Sequence, residues 1–323
     1  MDNYIEISAK GNIHRIPNCW EALSEYQFAG LVRDLSRMAR GEISVAIVKI
    51  NHVCRVMGWN INKLKDETSF QNLAWLGDQV TFPFLIVYPN DDEALEGLDP
   101  ATRKLCKRID PVQLKGVTIA KYLSRLDYKY AVDSCFCKQM RSGVTIDDEI
   151  YLSYKIDTSF NHLTCSLTAL QFIEARNLVN GALDQLPLLA AILYYPDRYS
   201  SAGAHKLAKT FSQLPIEILQ EIAFNFQAFI NYIFTRTDFK LLTEAKASKV
   251  SAISTGALES LYNLTSDGYG DIDTVEHLNI TQYLAILRKK LIDTVRSLDA
   301  AKLERSKIAN ETGLSITTIN NIL

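Results

Sequence analysis

The stretch Ile216–Phe234, reading IEILQEIAFNFQAFINYIF, constrains the fold more than any other part of the chain. So long an apolar run is either a membrane span or a helix that buries most of its circumference. A span needs about 20 mainly apolar residues, and carboxylates inside lipid are costly. Glu217, Gln220, Glu221, Asn225, Gln227 and Asn231 interrupt the run, so a central helix packed on several sides is the expectation. Pro215 stands where proline suits a helix start. With 14 Gly and 8 Pro in 323 residues, a turn-rich sandwich or a disordered chain is disfavoured. The length suffices for one large or two modest cores. The expected fold class is mainly α (α+β): a helical protein with a small N-terminal β-hairpin and a few short strands.

The N-terminus alternates over Tyr4–Ser8 and Ile13–Ile16, and Gly11-Asn12 lies between the two runs. Two short strands ending at Pro17 fit this pattern. Ser24-Glu-Tyr-Gln27 is a capping box ahead of Phe28, Leu31, Val32 and Leu35, which predicts a helix to about Arg40, before Gly41. A second helix is expected from Ile43 to Met57, stopped by Gly58, although its β-branched residues leave a strand open. Phe82–Tyr88 reads as a strand or extended segment, and 112–114 as another. Thr118 is placed to cap a helix from Ile119 through Tyr130 and onward. Helical patterning returns over Leu167–Leu178. Leu186–Tyr194 is a strongly buried segment, Ser200–Lys206 a polar surface loop, and Ile280–Leu298 a long amphipathic helix. Residues 246–256 are rich in Ser and Ala, and Ser266–Asp273 reads as a loop. The acidic connection Pro89–Gly97 is the one internal boundary expected, which divides the chain into 1–88, 100–274 and an appendage at 275–323.

Charge gives no global pull toward nucleic acid or an anionic surface: 35 basic and 37 acidic residues leave a net charge of -2. The six cysteines (19, 54, 106, 135, 137, 165) are too dispersed for a disulfide framework and read as reduced and mostly buried. No signal peptide pattern opens the sequence. Cys135, Cys137, His162 and Cys165 make an arithmetically complete zinc set, but Cys-x-Cys is an uncommon half of one. Asp91-Asp92-Glu93 and Asp147-Asp148-Glu149 lack the alternating spacing of a calcium loop. Gly268-Tyr-Gly270 has no following Lys and Ser/Thr, and no catalytic signature occurs. No catalytic residue, metal or cofactor is therefore expected.

The sharpest local pattern is Arg305–Ile322, which resembles a helix-turn-helix. Ile308 and Ala309 belong to its first helix, and Gly313 stands in the turn, where a left-handed backbone is cheap. Ser315 is a cap, and Leu314, Ile319 and Ile322 form the packing face. Thr317, Thr318, Asn320 and Asn321 are the candidates for base contact, with Arg305 and Lys307 for phosphate. The second helix has no charged side chain. From Ile286 onward seven basic residues face four acidic ones, a modest surplus for a DNA binder.

A wider resemblance rests on the short hairpin ending in Arg15-Ile-Pro17, followed by Cys19-Trp-Glu-Ala-Leu-Ser-Glu-Tyr-Gln27. It looks like the opening of tail-assembly or virion structural proteins in phages and prophages of the Bacteroidota. Leu189–Pro196 and Phe211–Pro215 are similar in style. The resemblance implies a non-enzymatic role in virion or tail assembly, as a component or as a chaperone for one. The implied partner is a phage structural protein or a second copy of the chain, with nucleic acid the lesser expectation and no membrane. The implied location is the host cytoplasm during assembly, or the virion. Under it, Trp20, Trp59, Trp75, Tyr194 and Tyr195 are candidate interface anchors, though aromatic residues serve ordinary cores equally well.

Overall fold

The computed structural model describes residues 3–9, 11–64, 66–89, 93, 95–106, 127–244 and 258–323. The described residues form fourteen helices and eight short strands, a mainly helical fold with a small N-terminal β-hairpin. They divide into two compact units, residues 1–133 and 134–323.

The first unit opens with β1 (Tyr4–Ala9) and β2 (Asn12–Pro17), antiparallel from Tyr4 opposite Pro17 to Ala9 opposite Asn12. Helix α1 (Glu25–Ala39) begins with the full capping box: Ser24 Oγ accepts from Gln27 N, and Gln27 Oε1 accepts from Ser24 N. Helix α2 (Val45–Met57) ends at Gly58, and α3 (Glu67–Gln79) is capped by Asp66. Strand β3 (Phe84–Val87), α4 (Pro100–Cys106) and β4 (Lys129–Val132) complete the unit. Pairing of Phe84 with Val132 carries the unit across the expected boundary at 88–100. Ile16, Val53, Leu73, Leu76 and Val80 form a core, and the Trp20 ring stands edge-on to Phe28 and Phe82. Asp34, 4% exposed, is held by Arg55 at 2.5 Å and Asn51 at 3.2 Å.

The second unit is built on the apolar run that opened the sequence. It contains β5 (Gly143–Ile146), β6 (Glu149–Leu152), β7 (Ile156–Asp157), β8 (Thr164–Cys165), α5 (Ala169–Leu178), α6 (Leu186–Leu193), α7 (Ser201–Phe211) and α8 (Ile216–Arg236). Short helices α9 (Leu241–Glu244), α10 (Leu258–Ser266) and α11 (Ile272–Glu276) lead to α12 (Ile280–Ala300), α13 (Arg305–Thr312) and α14 (Ile316–Ile322). Helix α8 buries Leu219, Ile222, Phe226, Phe229, Ile230 and Ile233. Three of its polar interruptions, Glu221, Asn225 and Asn231, have partners in the segment Ser134–Arg141. Asn231 Nδ2 donates to Ser134 O at 2.7 Å, and Asn225 Nδ2 donates to Lys138 O at 2.9 Å. Asn225 Oδ1 accepts from Met140 N at 2.7 Å, and Arg141 meets Glu221 at 2.6 Å. The Asn225 and Asn231 amides that argue against a membrane span thus satisfy backbone groups of an irregular segment, which burial would otherwise leave orphaned, and the Glu221 carboxylate pairs with the Arg141 guanidinium. Among the described residues no helix is long and apolar enough to cross a membrane.

Two expectations are corrected. Ser200–Lys206 is not a loop: Ser200 caps α7, accepting from Gly203 N at 3.2 Å, and Ala204, Leu207, Ala208 and Phe211 turn inward at helical spacing. A helix running through Tyr130 is replaced there by β4, whose Tyr130 ring faces Phe84. The rest of that helix, the strand at 112–114 and the Ser/Ala-rich 246–256 fall outside the described residues. Helix α3 had no sequence expectation.

Candidate strand-binding groove and helix-turn-helix

Strands β5 and β6 form a hairpin in which Asp147 (φ 50°) and Asp148 (φ 64°) occupy both central positions of a two-residue turn. Positive φ at both positions defines a type I′ turn, whose twist suits a tight hairpin. The flanking pair Ile146/Glu149 then exchanges hydrogen bonds, and bonded pairs recur every second residue. Ser153 N donating to Ser142 O at 3.0 Å keeps that phase. Val144, Ile146 and Tyr151 point into the core, each 5% exposed. Ile150 and Leu152 fall on the non-bonded positions, so their N–H and C=O groups face away from β5. No backbone hydrogen bond fills those positions among the described residues, and the two side chains are 67% and 62% exposed. Natural edge strands are commonly guarded by Lys, Pro or a bulge, whereas β6 reads Glu-Ile-Tyr-Leu.

Beside this edge lies a cavity of about 580 Å³ lined by Ile150, Leu152, Tyr154, Tyr195, Tyr199 and His277, with Asp197 and Arg198 also on its wall. Its walls are braced: Tyr199 Oη donates to Glu174, and the His277 ring nitrogens lie 2.8 Å from Asp273 O and 3.2 Å from Tyr199 O. Burial and the Glu174 carboxylate push the Tyr199 phenol well above its ordinary range, so it stays neutral. An open backbone edge next to a cavity with aromatic walls and polar groups is suited to an extended peptide. Main-chain bonds supply affinity in such a mode, and alternate side chains select.

The C-terminal segment folds as two short helices, α13 and α14, joined at Gly313. Helices α12, α13 and α14 enclose Val295, Ile308, Leu314 and Ile319, with Leu241 from α9 against them. Gly313 takes φ +69°, a left-handed turn residue that costs a β-carbon about 1–2 kcal/mol. Ser315 Oγ caps α14, accepting from Thr318 N at 3.0 Å. Thr317 and Asn320 are exposed. Thr318 is half-buried and donates to Glu244 Oε2 at 2.8 Å, and Asn321 lies on the same cleft with Arg296. Arg305 is paired with Asp299 at 2.6 Å, while Lys307 is exposed. Arg288 and Lys290 also sit on carboxylates, Asp238 and Asp267. Three of the seven basic residues are thus drawn toward acids, and Glu244 of α9 accepts from Thr318 of the presumed recognition helix.

The candidate interface aromatics separate. Trp20 and Tyr194 are core residues at 4% and 1% exposure; Trp59 and Trp75 stand out at 40% and 60%. Tyr195 is half-buried in the β6 cavity. Cys165 is buried, and its thiol is pushed up to about 12 by that burial. Cys135 contacts Thr235 Oγ1 at 3.3 Å. Among the described residues no three His, Cys, Asp or Glu side chains gather as a metal site.

Comparison with protein-family models, curated proteins and solved structures returns no match to this chain.

Proposed function

We propose that this chain is a non-enzymatic assembly protein that captures an extended segment of a protein partner along β6. The open edge at Ile150 and Leu152, beside the Tyr195 cavity, carries this reading. The resemblance of Arg15–Gln27 to tail-assembly proteins of phages and prophages supplies its context. In that context the partner is a phage structural protein, met in the host cytoplasm or retained in the virion.

Ile150→Pro provides a selective test. It deletes an outward N–H that β5 does not use, and proline is tolerated on an edge strand with that group facing solvent. The full-length chain is used to capture partners from cells producing the particle, with nuclease treatment and mass spectrometry. The wild type is expected to retain one structural protein in fixed ratio. Ile150→Pro combined with Leu152→Asp is expected to lose it, and Thr317→Ala with Asn320→Ala to keep it. Retention by the β6 variant would refute strand capture.

A second reading, DNA binding through α14, is favoured by the Gly313 turn and the exposed Thr317 and Asn320. It predicts a nuclease-sensitive complex, lost in the α14 variant. It also predicts an affinity for duplex DNA that falls steeply with salt, since phosphate contacts release counterions.

A further inference from the structure

The loop between β7 and β8 holds a fully exposed phenyl ring. Phe160 is 101% exposed and has left-handed backbone angles, φ 57° and ψ 31°. That conformation is uncommon for a bulky residue and rarely chosen outside glycine and asparagine. The loop is braced by Asp157, whose Oδ1 accepts from both Ser159 N, at 2.8 Å, and Ser159 Oγ. A large apolar side chain is therefore held outward by an ordered turn. Directly beside it lies a cleft of about 680 Å³ lined by Thr158, His162, Tyr232, Phe239, Thr281 and Ala285. Thr158 and His162 flank the phenyl ring in sequence, so a knob and a hole share one patch.

We propose that this patch is a two-fold self-association surface on which two copies of the chain exchange Phe160 rings. A two-fold interface brings the same patch of each copy together, so a knob needs its hole on the same surface. Phe160 beside the cleft meets that condition, and the cleft is several times the volume of a phenyl group. The rim is complementary to itself. Asp238 lines the cleft with Arg236 and His162, and its carboxylate stays 84% exposed beside Arg288, so both signs of charge are offered on one patch for a second copy to meet. The two rings bury only part of the roughly 1,000 Å² that a specific interface needs. The dimer is therefore of the weak, transient kind, and micromolar affinity is expected. This surface shares no residue with the β6 groove, so it stands or falls independently of strand capture.

Sedimentation equilibrium of the full chain across a concentration series, without nucleic acid, is the test. The wild type is expected to move from monomer to dimer, and Phe160→Asp to weaken that step by at least about 30-fold. No fold damage is expected, because the ring packs on nothing in its own chain; unchanged far-UV circular dichroism verifies it. Ala285→Trp, which fills the hole from α12, is expected to weaken association similarly. Mixing it with Phe160→Asp joins an intact knob to an intact hole and should restore part of the dimer. A wild type that stays monomeric overturns the proposal, including the case where Phe160 binds a different protein. A dimer indifferent to Phe160→Asp overturns it equally.

Discussion

Arg141→Met is expected to destabilise residues 134–323 by roughly 3–5 kcal/mol. The guanidinium lies 2.6 Å from the Glu221 carboxylate, and the two side chains are 18% and 6% exposed. Removing the cation strands a carboxylate inside a helix packed on several sides. The adjacent backbone is also tied in, because Tyr194 Oη donates to Arg141 O at 2.8 Å. Replacing both partners, Arg141→Met with Glu221→Leu, should recover most of the loss, since a buried ion pair and an apolar pair of similar volume often balance. Urea unfolding separates the effect by unit. Trp20, Trp59 and Trp75 all lie in residues 1–133, so tryptophan fluorescence follows that unit. The helix signal near 222 nm should show an early transition in Arg141→Met while the fluorescence transition stays in place. A single mutant as stable as the wild type would mean that the carboxylate finds water or another donor.

The second large effect is a pH dependence that one buried histidine gives the first unit. His52 is fully buried, and its Nε2 lies 3.1 Å from Pro17 O, so that nitrogen carries the proton. Nδ1 is buried with no partner among the described residues. Burial, partly opposed by the Pro17 carbonyl, lowers the imidazole from 6.5 to about 4. Between those values the unfolded chain binds the proton and the folded chain does not. Stability is therefore full above pH 6.5, declines as pH falls toward 4, and levels off below. The drop amounts to about 3 kcal/mol from 1.36 kcal/mol per unit. Glu42, Asp66 and Asp99 have lowered carboxyls and add their own acid sensitivity. Comparison with His52→Gln, which keeps a donor toward Pro17, isolates the histidine. The fluorescence-monitored unfolding midpoint should fall across this window in the wild type and much less in the variant. Parallel pH profiles would show that His52 is not the group responsible.

The sequence was legible where local chemistry and packing agree. The Ser24 capping box, the Gly58 and Gly313 stops and the apolar stripe of α8 each carry a local signature, and each element forms as patterned. Polar interruptions in α8 argued for a protein interior, but their partners at Ser134, Lys138 and Met140 lie more than eighty residues away, and no local pattern records them. The Ser200–Lys206 stretch misled because Ser, Gly and Lys describe a loop in isolation, whereas Ala204, Leu207 and Phe211 reveal the buried stripe only when read as a helix. The β6 groove was hidden for a related reason. Its turn uses Asp147-Asp148 instead of Asn-Gly or Asp-Gly, so no hairpin was expected at Val144–Leu152. A period-two reading across the pair would have separated inward Val144, Ile146 and Tyr151 from outward Ile150 and Leu152. For the helix-turn-helix, the steric residues were legible. The pairing of Arg305 with Asp299 and of Thr318 with Glu244 required coordinates.

Strand capture is tested most directly by amide hydrogen exchange in the captured complex, compared with the free chain. Ile150 and Leu152 amides have no acceptor on β5, and they should exchange rapidly when free and markedly slower in the complex. Tyr151, already bonded to Val144 across the hairpin, should change little by comparison. Protection of Ile150 and Leu152 together, alternating with an unaffected Tyr151, is the result the account predicts. A stable complex in which both amides remain as fast as in the free chain would contradict it and place the partner elsewhere.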